Sequence, residues 1–276
     1  MGGENKMAIY GDSFTYNGVS STEYDVVLAS IDNISTYEMG LSQSLIVGDM
    51  NKYRNRQNYN GRKYNDVLSF QFSIVRTPYV DGKQQYFTRA DIRKINKWLT
   101  GADAPCVLHF DDDEEYIDYI CLITDVDNTA YDGRIVELKY SVTCNAPYGY
   151  SEMQSIEMTV SSSENIRIVS NSDEINGYIY PKITINPTST GEIQLKNTDE
   201  NAVIIINAKK SLPITINCEL QQFYDDIGLM SFEDLGITDI SDIYIPRLKY
   251  GDNNFTVIGN CSIKFEWREP RKVGAY

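Results

Sequence analysis

Residues 67–75 alternate without a break. Leu68, Phe70, Phe72 and Ile74 are large and apolar, and the intervening Ser69, Gln71 and Ser73 are small or polar. A period of two puts one set on each face of a pleated strand, whereas a helix would scatter both sets around its axis. The pattern recurs in 135–144, where Val136, Leu138, Tyr140, Val142 and Cys144 alternate with Glu137, Lys139, Ser141 and Thr143. Segments of this kind are stable only in sheets that bury one face, so the chain is expected to be mainly β. Its composition leans the same way, with 21 Tyr against 2 Trp and many Ile, Val and Thr. These residues pack well on a pleated surface.

Further strands are predicted at Phe14–Tyr16, Val26–Leu28, Cys106–Phe110 and Tyr116–Val126, with turns at Asn17-Gly18 and Asp132-Gly133. One segment breaks the period. Thr88 is a good helix N-cap, and Asp91 stands three residues on, where a carboxylate can close a capping box and meet the helix dipole. Ile92, Ile95, Trp98 and Leu99 then share one helical face, and Gly101 is placed for the C-terminal cap.

Pro147-Tyr148-Gly149-Tyr150 marks the boundary between two domains, 1–148 and 149–276. Beyond it the chain is rich in Ser, Asn, Ile and Thr. Strands are predicted at Ser155–Val160, Ile166–Val169, Ile179–Ile185, Glu192–Leu195, Ala202–Ile206, Ile214–Cys218, Asn254–Ile258 and Ser262–Trp267. Turns are expected at Asn176-Gly177, Asn186-Pro187, Gly191 and Gly251-Asp252-Asn253-Asn254, and the acidic segment 221–243 has no clear period. Short strands with frequent turns and no helix predict a β-sandwich.

The formal net charge is −14. Residues 1–149 hold 14 basic and 21 acidic side chains and residues 150–276 hold 11 and 18, so neither half has the basic footprint of a duplex-DNA or membrane binder. Against this background 48–66 stands out. It is polar and Asn-rich, and it carries Lys52, Arg54, Arg56, Arg62 and Lys63 among Tyr53, Tyr59 and Tyr64. Such a segment builds no core and is expected to be a long loop or an arm-like hairpin turning at Asn60-Gly61. Docking on the acidic face of a neighbouring subunit suits its charge better than single-stranded nucleic acid does. Tyr and Arg are also the types that concentrate in interfaces. Lys52, Tyr53, Arg54, Arg56 and Tyr59 are the candidate interface residues.

No catalytic, cofactor or metal motif is present. The single histidine, His109, falls within a predicted strand and has no G-x-S-x-G turn to partner it, and two-histidine metal sites are impossible within one chain. The run Asp111–Glu115 lacks the spacing of an EF-hand loop and is expected to be a solvated turn. There is no phosphate-binding glycine motif. Five widely spaced cysteines without a C-x-x-C predict reduced, buried thiols, and Met1–Tyr10 has no apolar signal segment. No apolar run reaches the roughly 20 residues of a membrane helix. The chain is not expected to be an enzyme.

The stretch Phe87–Gly101, ending in Trp98-Leu99, resembles the helix of the distal tail protein (Dit) family of long-tailed phages. In that family the helix is followed by a strand (here Val107–Phe110), an acidic turn (Asp111–Asp113), an aromatic-rich strand (Tyr116–Val126) and an exit like Cys144-Asn145-Ala146-Pro147-Tyr148. Residues 251–257 and 263–268 resemble its closing strands. The resemblance implies an N-terminal, β-sandwich-like ring domain with one helix and an extended arm, and a C-terminal galectin-like or carbohydrate-module-like β-sandwich. It further implies a homohexameric ring at the virion tail tip, assembled in the bacterial cytoplasm. The ring would join the tail tube protein to a tail-associated lysin or hub, anchor receptor-binding proteins or side fibres, and let DNA through its lumen. A carbohydrate-binding adsorption protein, presenting Tyr178, Tyr180, Phe223, Tyr224 or Tyr244 from the C-terminal sandwich, is the alternative.

Overall fold

The computed structural model describes residues 13–28, 41–51, 53, 56–76, 85–111, 115–237 and 243–272. The chain divides into two compact units, Met1–Tyr150 with Arg271–Tyr276, and Ser151–Pro270. It therefore leaves the first unit after Tyr150 and returns to it at Arg271, a return that the two-domain reading of the sequence did not include.

The first unit contains β1 (Phe14–Tyr16), β2 (Val19–Ser20), β3 (Val26–Leu28), β4 (Gln43–Asn51), β5 (Arg56–Tyr64), β6 (Ser69–Arg76), helix α1 (Arg89–Leu99), β7 (Cys106–Phe110), β8 (Asp118–Tyr131), β9 (Arg134–Cys144) and β10 (Gly149–Tyr150). Its main sheet runs β2-β1-β7-β8-β9-β6-β3, with β10 beside β8. The paired strands are antiparallel, and the alternating segments pair with each other, Phe70 opposite Val142 and Phe72 opposite Tyr140. Both predicted two-residue turns form with left-handed backbones, Asn17 at φ 52° and Gly18 at 75°, Asp132 at 49° and Gly133 at 72°. Those values suit the right-handed twist of hairpin strands.

Helix α1 packs on the apolar face of this sheet. Ile95 and Leu99 are fully buried against Phe14, Phe72, Leu108 and Tyr140. Thr88 and Asp91 form the expected capping box: the Asp91 N–H donates to Thr88 Oγ1 (3.2 Å) and the Thr88 N–H to Asp91 Oδ2 (2.9 Å). Asp91 also accepts from Arg76 Nη1 at 2.9 Å, tying the cap to β6. The C-terminal expectation needs correction. The cap residue is Thr100 (φ −107°), whose N–H bonds Asn96 O, and Gly101 is not left-handed. Glycine is needed there for space, because a Cβ would lie 2.3 Å from Lys97 O.

The second unit contains β11 (Gln154–Ser170), β12 (Lys182–Pro187), β13 (Gly191–Asn197), β14 (Ala202–Ala208), β15 (Ile214–Asn217), β16 (Gln222–Tyr224) and β17 (Gly251–Trp267). Four predicted short strands are in fact the halves of two 17-residue strands, β11 and β17, paired along their whole length from Gln154–Trp267 to Ser170–Gly251. The predicted turn 251–254 is the first part of β17. On its other edge β17 changes partner: Phe255 to Ile258 pair with β13, and Cys261 to Glu266 pair with β12. The switch falls at Gly259, whose φ of +131° and close approach to Glu192 O (3.0 Å from an added Cβ) exclude other residues without strain. The two halves of the sheet thus turn a corner, and Ile183, Ile193, Ile204, Ile216, Phe255, Val257, Ile263 and Phe265 meet in one buried core.

A candidate interaction surface on the arm

The predicted arm is a hairpin, longer than the sequence indicated and turned at a different place. β4 and β5 pair antiparallel from Gln43–Tyr64 to Asn51–Arg56 as a separate two-stranded sheet, so the chain reverses between Asn51 and Arg56. Asn60-Gly61 is not the turn. It lies within β5 at the first of two register shifts, between the pairs Leu45–Arg62 and Val47–Tyr59, and Gly61 takes φ +115°. The extra residue of a bulge needs such backbone freedom. The base of the hairpin is closed on itself and held to the rest of the first unit through the Tyr64 ring. The Asn65 N–H donates to Ser42 O at 3.0 Å and its amide to Ser42 Oγ at 2.9 Å. The Tyr64 ring meets Tyr148 edge-on, 6.2 Å between centroids, and the Lys272 ammonium lies 5.7 Å from the Tyr64 ring.

Beyond that base the arm exposes apolar surface. Leu45 is 64% exposed, Met50 63%, Tyr59 61% and Tyr53 91%, and Ile46 and Val47 are also open to solvent. An isolated two-stranded hairpin is marginal in water, and contiguous apolar exposure marks a contact surface. Burying side chains of this size yields about 1.5–3 kcal/mol each. Of the five residues predicted for the interface, Tyr53 and Tyr59 lie on this surface. Lys52 and Arg54 fall outside the described residues. Arg56 is placed in β5 opposite Asn51, and its side chain is likewise outside the description. The sequence reading left out Leu45, Ile46 and Val47 because an apolar run reads as core, and it placed Met50 in the arm without naming it for the interface. The signal that could have found them is the direct junction of Leu45-Ile46-Val47 with the polar, basic segment.

No other arrangement among the described residues organises a reaction. His109 is half-buried, and its Nδ1 lies 2.9 Å from Ile117 O and 3.3 Å from Asp118 Oδ1. Its Nε2 is 3.8 Å from Asp111 Oδ1, and its ring stacks on Tyr116 at 4.1 Å. The Ser13 hydroxyl donates to Asp111, the same carboxylate that His109 Nε2 faces. Residues 112–114 of the acidic run lie outside the description, and no group of three potential metal ligands is found among the described residues. All five cysteines are free thiols. Cys106, Cys121 and Cys144 lie side by side on β7, β8 and β9, and Cys144 together with burial pushes the Cys121 thiol up. Burial pushes Cys218 up to about 12. Thiols held protonated in this way are poor nucleophiles.

Of the aromatic residues considered for sugar binding, Phe223 is buried in the core. Tyr244 accepts from the Asn197 amide and donates to Glu200 at 2.9 Å each, and burial, with Glu200 and against the Asn197 bond, raises its hydroxyl well above the usual tyrosine range. Tyr178 is exposed, but the Arg247 guanidinium covers its ring at 3.9 Å. Tyr180 is exposed, and Tyr224 is half-buried in β16.

A β-rich unit with a packed helix and an exposed apolar hairpin has the features of a part that assembles with others. Family comparison makes this specific: residues 9–146 match the phage tail protein N-terminal domain and residues 148–267 the phage tail C-terminal domain. The chain belongs to this family of phage tail proteins, and as a tail component it is a part of the virion. Its fold is that of the distal tail proteins. The Dit protein (gp 19.1) of phage SPP1, described as a paradigm of the hub adsorption apparatus in phages infecting Gram-positive hosts, superposes with a TM-score of 0.61 at 13% identity over 93% of this chain and 98% of that one. A chain of the phage P2 baseplate in its activated conformation matches with a TM-score of 0.57 at 9% identity, over 95% and 98% of the two chains. Comparison with curated proteins gives no match. No helix among the described residues is long and apolar enough to cross a membrane.

Proposed function

We propose that this tail protein closes into a homohexameric ring at the end of the tail tube, with the β4–β5 arm of each copy docking on the next. One observation carries the reading: a hairpin fixed at its base exposes Leu45, Val47, Met50 and Tyr59 beyond it, in the part of an acidic chain richest in cations. A cyclic ring repeats one heterologous contact, which needs an arm on one side and a receiving surface on the other. The ring would join the tube to a tail-associated lysin or hub and anchor receptor-binding proteins or side fibres. DNA would pass through a lumen that an acidic lining keeps from sticking. In this reading the protein is assembled in the host cytoplasm and has no enzymatic role.

Light scattering and negative-stain microscopy of the purified chain, alone and with its tube protein, test this. Six-fold rings near six times 31.4 kDa are expected. A monomer that persists at high concentration and with the tube protein present overturns the reading.

A further inference from the structure

Strand β11 is paired on one side only. All 17 of its residues face β17, and among the described residues no strand meets its other edge. Long open edges template pairing with another chain, and proteins usually guard them with Lys, Pro or short length. This edge has neither Lys nor Pro between 154 and 170 and carries the slender run Ser161-Ser162-Ser163 at its centre.

Its sequence is also self-complementary. Val160, Ile166 and Ile168 point into the core and Ile156 and Met158 pack half-buried against it, whereas Ser155, Glu157, Thr159, Ser161, Ser163, Asn165, Arg167 and Val169 are exposed on the other face. Set antiparallel to a second copy about a two-fold axis through Ser162, every residue meets one on its own face. Ile156 then lies opposite Ile168, Met158 opposite Ile166, and Ser161 opposite Ser163. Glu157 lies opposite Arg167, twice by symmetry. A slip of two residues would set Glu157 against Asn165 or Val169, and Arg167 against Ser155 or Thr159. Directly opposed opposite charges and apolar pairs are what stabilise and register a sheet. Arg167 bonds Asp252 through Nε (3.0 Å) and one amino group (2.8 Å), which leaves its second amino group for the opposing carboxylate. Glu164 against Val160 is unfavourable in this register, and it falls at the corner where β17 changes partner.

We propose that β11 is a homodimerisation edge, two copies pairing antiparallel about Ser162 to make one continuous sheet. The contact is isologous and separate from the head-to-tail contact of a ring, so it joins chains, or rings, in pairs.

Full-length Ser162→Cys, oxidised with copper-phenanthroline, tests the geometry, since residue 162 faces itself across a Cβ separation that a disulfide spans. A disulfide-linked dimer is expected from Ser162→Cys, and at least tenfold less from wild type or from Ser155→Cys, which faces Val169. Glu157→Arg or Arg167→Glu in the Ser162→Cys background should each cut cross-linking about tenfold, and the two together should restore it. These side chains are exposed, so an unchanged thermal midpoint shows that each variant is folded. Absence of the dimer, equal cross-linking at residue 155, or failure of the double exchange to restore it overturns the proposal. Rings that form without the cross-link leave the ring reading standing, and a cross-link without rings does the reverse.

Discussion

The rings of Tyr24 and Trp98 lie parallel, with centroids 4.5 Å apart and an interplanar angle of 0°. Phe14 stacks near the same indole at 5.6 Å, and Trp98 Nε1 donates to Tyr16 O at 3.1 Å. One side chain of α1 therefore joins β1 and the turn of 3-10 helix Ser21–Tyr24 to the helix. Trp98→Ala should destabilise the first unit by about 3 kcal/mol, the lower end for losing a large aromatic side chain, because the indole is only partly buried. Trp98→Phe keeps a ring and loses the hydrogen bond, at about 1 kcal/mol. Denaturant unfolding measures both, and equal midpoints for wild type and Trp98→Ala would remove Trp98 from the support of the fold.

Asp91 gives the helix cap a pH dependence. The Thr88 hydroxyl, the Thr88 N–H and Arg76 hold its carboxyl below the ordinary value of 3.8, against a smaller opposing effect of burial. A carboxyl depressed on folding contributes stability that is present above its unfolded value and lost as pH falls through the folded one. Asp91→Ala should therefore cost about 1 kcal/mol at pH 7, within the range for loss of a cap, and its difference from wild type should shrink below pH 3.8. Thermal midpoints of the two proteins from pH 7 down to pH 3 test the sign, and a gap that widens in acid would contradict it.

Gly259 stands at the corner of β17. Gly259→Ala introduces a Cβ at φ +131°, 3.0 Å from Glu192 O and 3.1 Å from an Ile193 side-chain carbon. Strain of this kind costs about 1–3 kcal/mol. The second unit should melt earlier, with the first unit's transition unchanged, as differential scanning calorimetry would resolve. A single unshifted transition would mean that the corner tolerates a side chain.

The arm should matter for assembly and not for folding. Leu45→Ser with Met50→Ser removes exposed apolar area, and Lys52, Arg54 and Arg56 to Ala removes charge. Exposed changes away from a core usually move stability by no more than about 0.5 kcal/mol. Each set should weaken ring formation at least tenfold by light scattering while the circular dichroism melt stays within a degree or two. Ring formation equal to wild type in both sets would assign the contact elsewhere.

The sequence by itself determined what short-range physics decides. Alternation set β6 and β9, left-handed turn residues set the hairpins at Asn17-Gly18 and Asp132-Gly133, and the Thr88–Asp91 spacing set the start of α1. Each of these rests on neighbours within a few positions. Contacts between distant residues were decided only by the tertiary structure. It merged four expected strands into β11 and β17, because pairing between residues 81 to 113 positions apart carries both strands past Ser161–Ser163 and Gly259. It moved the arm's turn away from Asn60-Gly61, because cross-strand register made that pair a bulge. It left Leu45, Ile46 and Val47 in solvent, although an apolar run of this kind reads as core. Periodicity reports which residues prefer to be buried. Only the folded chain determines which of them find a partner within it.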